Sequence, residues 1–101
     1  MGLLGLDIGS TGCKATVIDY EGHKKTSAYR EYNLENPGPG LEELNPQIVW
    51  KYVQEVIKEA AFNYRGEDIQ AVSISSFGEA AVPIDEQGNI LYNSIMYIDK
   101  R

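Results

Sequence analysis

One short stretch constrains the fold of this chain more than any other. An apolar run from Leu3 to Ile8, broken only by Gly5 and Asp7, enters Gly9-Ser10-Thr11-Gly12 directly. Cys13-Lys14-Ala15-Thr16-Val17-Ile18-Asp19 follows at once. Residues 3–8 read as a buried strand, and the glycine-bounded tetrapeptide reads as a turn. In residues 13–19, Ala15, Val17 and Asp19 alternate with Lys14, Thr16 and Ile18, the period of a second strand. A strand after the glycines excludes both the Walker loop and the dinucleotide fingerprint, each of which needs a helix there. Tyr20-Glu21-Gly22-His23 makes a second turn, and residues 24–34, rich in Thr, Tyr and charge, read as a third strand near a sheet edge. Two short turns in succession dictate an antiparallel meander rather than a βαβ unit.

After the rigid loop Asn36-Pro37-Gly38-Pro39-Gly40 the period changes. Asn45 suits a helix N-cap and Pro46 the first helical position. Ile48, Val49, Tyr52, Val53, Val56, Ile57, Ala60 and Ala61 recur at helical spacing, with Lys51, Gln54, Glu55, Lys58 and Glu59 on the wet face. The helix is expected to end between Asn63 and Gly66. Trp50 sits just off the apolar stripe and is expected to pack in the core. Residues 69–75 read as a fourth strand, residues 80–84 and 90–92 as a hairpin around Asp85 to Asn89, and Ser94 to Ile98 as an extended segment. The order is β-β-β-α-β, followed by short strands.

The Asp7 to Lys14 segment carries the chemistry. Glycines let backbone amides approach phosphate oxygens. Ser10 and Thr11 can donate hydroxyl hydrogen bonds, Lys14 can neutralise charge, and Asp7 can hold hydrated Mg²⁺, a hard cation that prefers oxygen ligands. Read by itself, the same segment serves equally well as a plain hairpin with polar turn residues. Composition narrows the partners. Nine basic against fifteen acidic residues give a formal charge of −6, which argues against nucleic acid or an anionic membrane as the main partner. The single cysteine, Cys13, permits no internal disulfide and fits a reduced, cytoplasmic setting. It reads as a small packing residue, and His23 as plain surface. Without a basic start and a longer apolar stretch, the sequence is expected to carry no signal peptide, and no window approaches the length of a membrane-spanning helix.

Three further segments resemble the FGGY carbohydrate kinases. Gly40-Leu41-Glu42-Glu43-Leu44-Asn45-Pro46, with Trp50, is similar to the family's Gly-Trp-x-Glu-Gln-Asp-Pro-x-x-Trp signature. It departs from it at Leu41 and Leu44, and Asn45 stands for the aspartate. Ile74 to Asp85, then Gly88, resembles the family's strand-loop-strand, whose loop reads Gly-Gln-Met-His-Gly in xylulose kinases and Asn-Gln-Arg-Glu in glycerol kinases. Ile95-Met96-Tyr97-Ile98-Asp99-Lys100-Arg101 resembles Ile-x-Trp-x-Asp-x-Arg. With the Asp7 turn, these segments fall in family order over nearly the whole chain.

The resemblance implies an α/β fold of the ribonuclease H-like, actin-type superfamily, built on a mixed sheet. It also implies phosphoryl transfer from ATP to a sugar or polyol hydroxyl with Mg²⁺. Asp7 falls on the metal aspartate, and Ser10, Thr11 and Lys14 on the ATP phosphate loop. Gly78 and Glu79 fall on the pair that contacts substrate hydroxyls, and Tyr97 on the aromatic that lines the sugar pocket. Asp99 and Arg101 fall on the motif that closes the segment, with Asp99 counted among the substrate-binding residues. Outside the resemblance, Glu79 reads as a solvated loop acid, Tyr97 as a core tyrosine, and Asp99 and Arg101 as surface charges.

Family members are several times longer, and their catalytic aspartate and adenosine pocket lie downstream. The chain is therefore expected to be the first part of the first domain, without a catalytic residue of its own, and to self-associate through uncovered elements. A non-kinase actin-like ATPase and a stand-alone interaction domain are the rival functions. The Gly78-Glu79 loop and the Tyr97 to Arg101 segment favour the kinase. Ser76-Phe77-Gly78-Glu79 matches neither the xylulose nor the glycerol pattern, which leaves a five- or six-carbon sugar or polyol as the expected substrate.

Overall fold

The computed structural model describes residues 1–65 and 68–101. The element order is β1 (Gly2–Ile8), β2 (Gly12–Asp19), β3 (Lys24–Glu31), β4 (Glu43–Leu44), α1 (Pro46–Asn63), β5 (Ile69–Ser76) and β6 (Ser94–Ile95). Four strands form one sheet in the order β3-β2-β1-β5. β2 runs antiparallel to both β1 and β3, whereas β5 runs parallel to β1. The meander and the return of the chain after the helix are both as the sequence predicts.

Strand alternation decides what lies under the helix. Leu4, Leu6, Ala15, Val17, Cys13 and Ala28 are buried, and the helix residues Val53, Val56 and Ala60 join them in one core. Small residues on β2 let the helix approach closely. Asn45 caps α1 by accepting from the Gln47 amide at 3.0 Å, with Pro46 at the helix start. Arg30 ties β3 to the helix flank through Glu55 (3.2 Å) and Glu59 (2.9 Å). Cys13 is a buried packing residue, and burial pushes its thiol pKa up.

Several expectations need correction. β3 stops at Glu31 rather than running to residue 34; one pair further on, the Tyr32 amide still donates to the Thr11 carbonyl at 3.1 Å, in register with the ladder. The helix end, by contrast, falls at Asn63, within the expected range, and Gly66 lies outside the described residues. The hairpin after residue 80 is reduced to the isolated bridges Ala81–Ile95 and Ile84–Ile90. Its turn is held by Asp85, which accepts from the amides of Gln87 and Asn89 at 2.9 Å each. The last segment contributes β6, which pairs with β4, a strand the sequence did not announce. Trp50 is 61% exposed rather than core. α1 rests on β2 and β3 and leaves β5 uncovered. Val72 and Ile74 share a face with Leu4 and Leu6, yet they are exposed. They line an apolar groove of about 440 Å³ with Leu6, Val49, Trp50 and Val53. No helix of the described residues is long and apolar enough to cross a membrane.

Candidate functional site

The face of the sheet opposite α1 is polar where β1 meets its neighbours. Asp7 stands between Lys14 on β2 and Ser75 on β5, and Gly5 between Thr16 and Ser73. These side chains line an open groove of about 380 Å³. Strand alternation puts them there, since Asp7 occupies the odd position between the buried Leu6 and the half-buried Ile8. Asp7 and Lys14, both predicted site residues, are thus direct cross-strand neighbours and exposed.

The turn that follows is closed by the Gly9 amide, which donates to the Gly12 carbonyl at 2.8 Å. Gly12 is buried where the backbone of β3 passes close by. A Cβ there would come within 2.6 Å of the Arg30 carbonyl. Ser10 is half-buried and Thr11 exposed on this turn. The Tyr32 hydroxyl reaches the Gly9 carbonyl, and the Gly12 carbonyl at 3.0 Å. Burial raises the Tyr32 pKa to about 12, so the phenol remains a donor. Sequence reasoning missed Tyr32. It lies just past β3 with no motif around it, and only the fold brings it under the turn.

β5 delivers the second predicted group. Beyond Ser76 the Phe77 amide donates to the Ile8 carbonyl at 3.1 Å, which extends the parallel ladder. Gly78 and Glu79 therefore leave the sheet at the same end as the Gly9 to Gly12 turn. Glu79 is exposed and holds a φ of 58°, in the left-handed region that non-glycine residues rarely adopt. A Cβ built on Gly78 meets nothing within 4 Å. A shallow recess is lined by Glu79, Ala80, Ala81 and Ile95. Tyr97 follows Ile95 by two residues, not on the expected extended segment but in a turn closed by the Asp99 amide, which donates to the Met96 carbonyl at 3.0 Å; it is 60% exposed, so it is not a core tyrosine.

Asp99 and Arg101 have another setting. The Asp99 side chain is 2% exposed. Its oxygens accept from the Glu42 amide (2.7 Å), from the Arg101 amide (2.9 Å) and from the Arg101 guanidinium (2.8 Å). Arg101 also reaches buried Glu43 at 2.8 Å, and Glu43 accepts from Tyr92 (2.6 Å) and Asn93 (3.2 Å). Arg101 holds the Asp99 carboxyl well below the usual carboxylate range, and Tyr92 and Arg101 lower that of Glu43. The network fastens residues 92–101 to residues 42–43, and so fixes the segment that carries Ile95 and Tyr97.

Among the described residues, one group has the spacing of metal ligands, Asp19, Glu21 and His23. It lies at the far end of β2, opposite the turn. Asp19 there already accepts from the amides of Glu21 and His23 at 2.9 Å each, as the anchor of the β2–β3 turn.

Residues 2–101 match the family model described as the FGGY family of carbohydrate kinases, N-terminal domain. The chain is 29% identical over 99 residues to a xylulose kinase of Staphylococcus xylosus, covering 98% of this chain and 20% of that protein. It is 32% identical over 102 residues to a glycerol kinase of Carboxydothermus hydrogenoformans, again covering 98% of this chain and 20% of that protein. Its fold superposes on the crystal structure of a xylulose kinase from Rhodospirillum rubrum with a TM-score of 0.93 and 26% identity, covering all of this chain and 22% of that one. The chain thus spans about one fifth of the length of the curated relatives it matches. The mixed sheet and its helix are those of the actin-like fold that the family resemblance implies and the strand order agrees with. With the match running from Gly2 to Arg101, the chain belongs to the FGGY family of carbohydrate kinases, within the N-terminal domain of that family.

Proposed function

We propose that the protein containing this domain transfers the terminal phosphoryl group of ATP to a hydroxyl of a sugar or polyol. One observation carries this reading. The Gly9 to Gly12 turn and the Gly78-Glu79 loop leave adjacent parallel strands at their carboxyl ends, the crevice where open α/β sheets take their ligands. Ser10, Thr11 and Lys14 bind the phosphates, and Glu79 accepts hydrogen bonds from substrate hydroxyls. Tyr97 packs on the C–H face of the sugar. An exposed carboxylate beside hydroxyl groups fits hydrated Mg²⁺, which keeps most of its waters. Asp7, beside Ser75, would hold it, and it would supply neutralisation of the charge on the phosphate oxygens.

In the transfer the acceptor hydroxyl oxygen bonds to the terminal phosphorus as the bond to the ADP oxygen breaks. The hydroxyl proton goes to a base outside residues 1–101. The domain's share is to hold both reactants in line. Asp99 serves the same site by holding Tyr97 in place through Arg101 and Glu42. The open space beside Gly78 suits a substrate bulkier than glycerol. The protein works with these small molecules, not with nucleic acid or a membrane, and in the cytoplasm.

A coupled assay of the full-length gene product against pentoses, hexoses and polyols tests this. We expect turnover with one of them, and a loss of at least about 100-fold in kcat for Asp7→Asn, the scale of removing one electrostatic group from a phosphoryl-transfer site. The 101-residue chain alone is expected to be inert. ATP hydrolysis that no sugar stimulates would overturn the proposal in favour of an actin-like ATPase.

A further inference from the structure

A turn that binds polyphosphate must hide its carbonyl oxygens, which repel phosphate, and leave its N–H and O–H groups outward. In this chain three carbonyls of the turn are engaged from within. The Gly12 carbonyl accepts from the Gly9 amide, and the Thr11 carbonyl from the Tyr32 amide. The Gly9 and Gly12 carbonyls share the Tyr32 phenol. Tyr32 is 5% exposed, and its ring stacks on Tyr52 of α1, with centroids 6.4 Å apart and planes 16° apart. The ring is thus clamped between the helix and the turn.

We propose that Tyr32 is a positioning residue for the phosphate-binding turn: its hydroxyl and its amide hold the turn's carbonyls inward, so that Ser10 and Thr11 face the nucleotide. This rests on the reading of residues 9–12 as a phosphate turn. It extends that reading to a residue that touches neither substrate. A purely structural tyrosine would affect stability alone, whereas a positioning tyrosine affects nucleotide affinity selectively.

The test is Tyr32→Phe in the full-length protein, which removes one oxygen and keeps the ring stack. ADP titration by calorimetry is expected to show Kd raised about tenfold, the scale of one buried hydrogen bond. The KM for ATP should rise in parallel, and the KM for the sugar should stay within about twofold. Tyr52→Leu, which removes the supporting ring but leaves the hydroxyl, is the stability control and should lower Tm with a smaller change in ADP affinity. Unchanged ADP affinity in Tyr32→Phe overturns the proposal. So does an equal rise in both KM values that tracks Tm. A protein that binds ADP but phosphorylates no sugar defeats the kinase reading while the calorimetry still decides the role of Tyr32. A wild type that binds no nucleotide defeats both.

Discussion

Gly12→Ala is the sharpest probe of how the turn is built. Gly12 is buried at the start of β2 and pairs with Glu31 across the ladder. An added Cβ would lie 2.5 Å from the Tyr29 hydroxyl, 2.8 Å from Tyr29 Cζ and 2.6 Å from the Arg30 carbonyl oxygen. Tyr29 is 49% exposed and can swing away. The Arg30 carbonyl belongs to the backbone of β3 and cannot, so the two strands must part locally. Overpacking of this kind costs about 1–3 kcal/mol. For a domain of this size each kcal/mol lowers Tm by about 4–8 °C, so the expected fall is about 4–24 °C. Gly5→Ala is the matched control, because a Cβ on Gly5 meets nothing within 4 Å. Replacing that strand glycine should raise stability by about 0.5–1 kcal/mol through the unfolded chain. Thermal unfolding followed by circular dichroism reads both variants. If Gly12→Ala melts with the wild type, or both variants shift alike, close approach of β3 is not what demands glycine at residue 12.

Tyr92 and Arg101 depress the carboxyl pKa of Glu43, and Arg101 that of Asp99. Their stabilisation is therefore full above the unfolded carboxylate pKa of about 4 and fades as pH falls through the lower folded values. Arg101→Met should move the acid-unfolding midpoint to higher pH and leave stability least altered at the lowest pH. A midpoint unmoved in fluorescence-monitored titrations would show that the network does not act on the acid limb. β5 is unpaired on its outer edge among the described residues, with Val72 56% and Ile74 63% exposed. Such an edge recruits further strands. The 101-residue chain should sediment as an oligomer, and Val72→Lys with Ile74→Lys should shift it to monomer. A monomeric wild type that unfolds cooperatively would overturn this.

Local chemistry made much of the molecule legible in advance. A glycine-bounded apolar run identified β1, period-two alternation identified β2, and Asn45-Pro46 identified the start of α1, because these signals act over a few residues. The Asp7 turn and the Gly78-Glu79 loop were readable for the same reason, since each motif is contiguous. Tertiary structure alone decided the rest. Whether Trp50 is buried depends on which strands α1 covers, and it packs mainly on β2 and β3. β4 and β6 are two residues each, too short for a pattern, and exist only by pairing across fifty residues of chain. Asp99 and Arg101 look like surface charges in the sequence. The burial of the Asp99 carboxylate, and the pairing of Arg101 with it and with Glu43, require that residues 99–101 return to residues 42–43. The sequence by itself thus determined the strand-turn-strand that presents Asp7, and the helix behind it. Only the tertiary structure decided that Tyr32 braces the turn, because a phenol finds two carbonyls some twenty residues away only after β3 has folded back against β2.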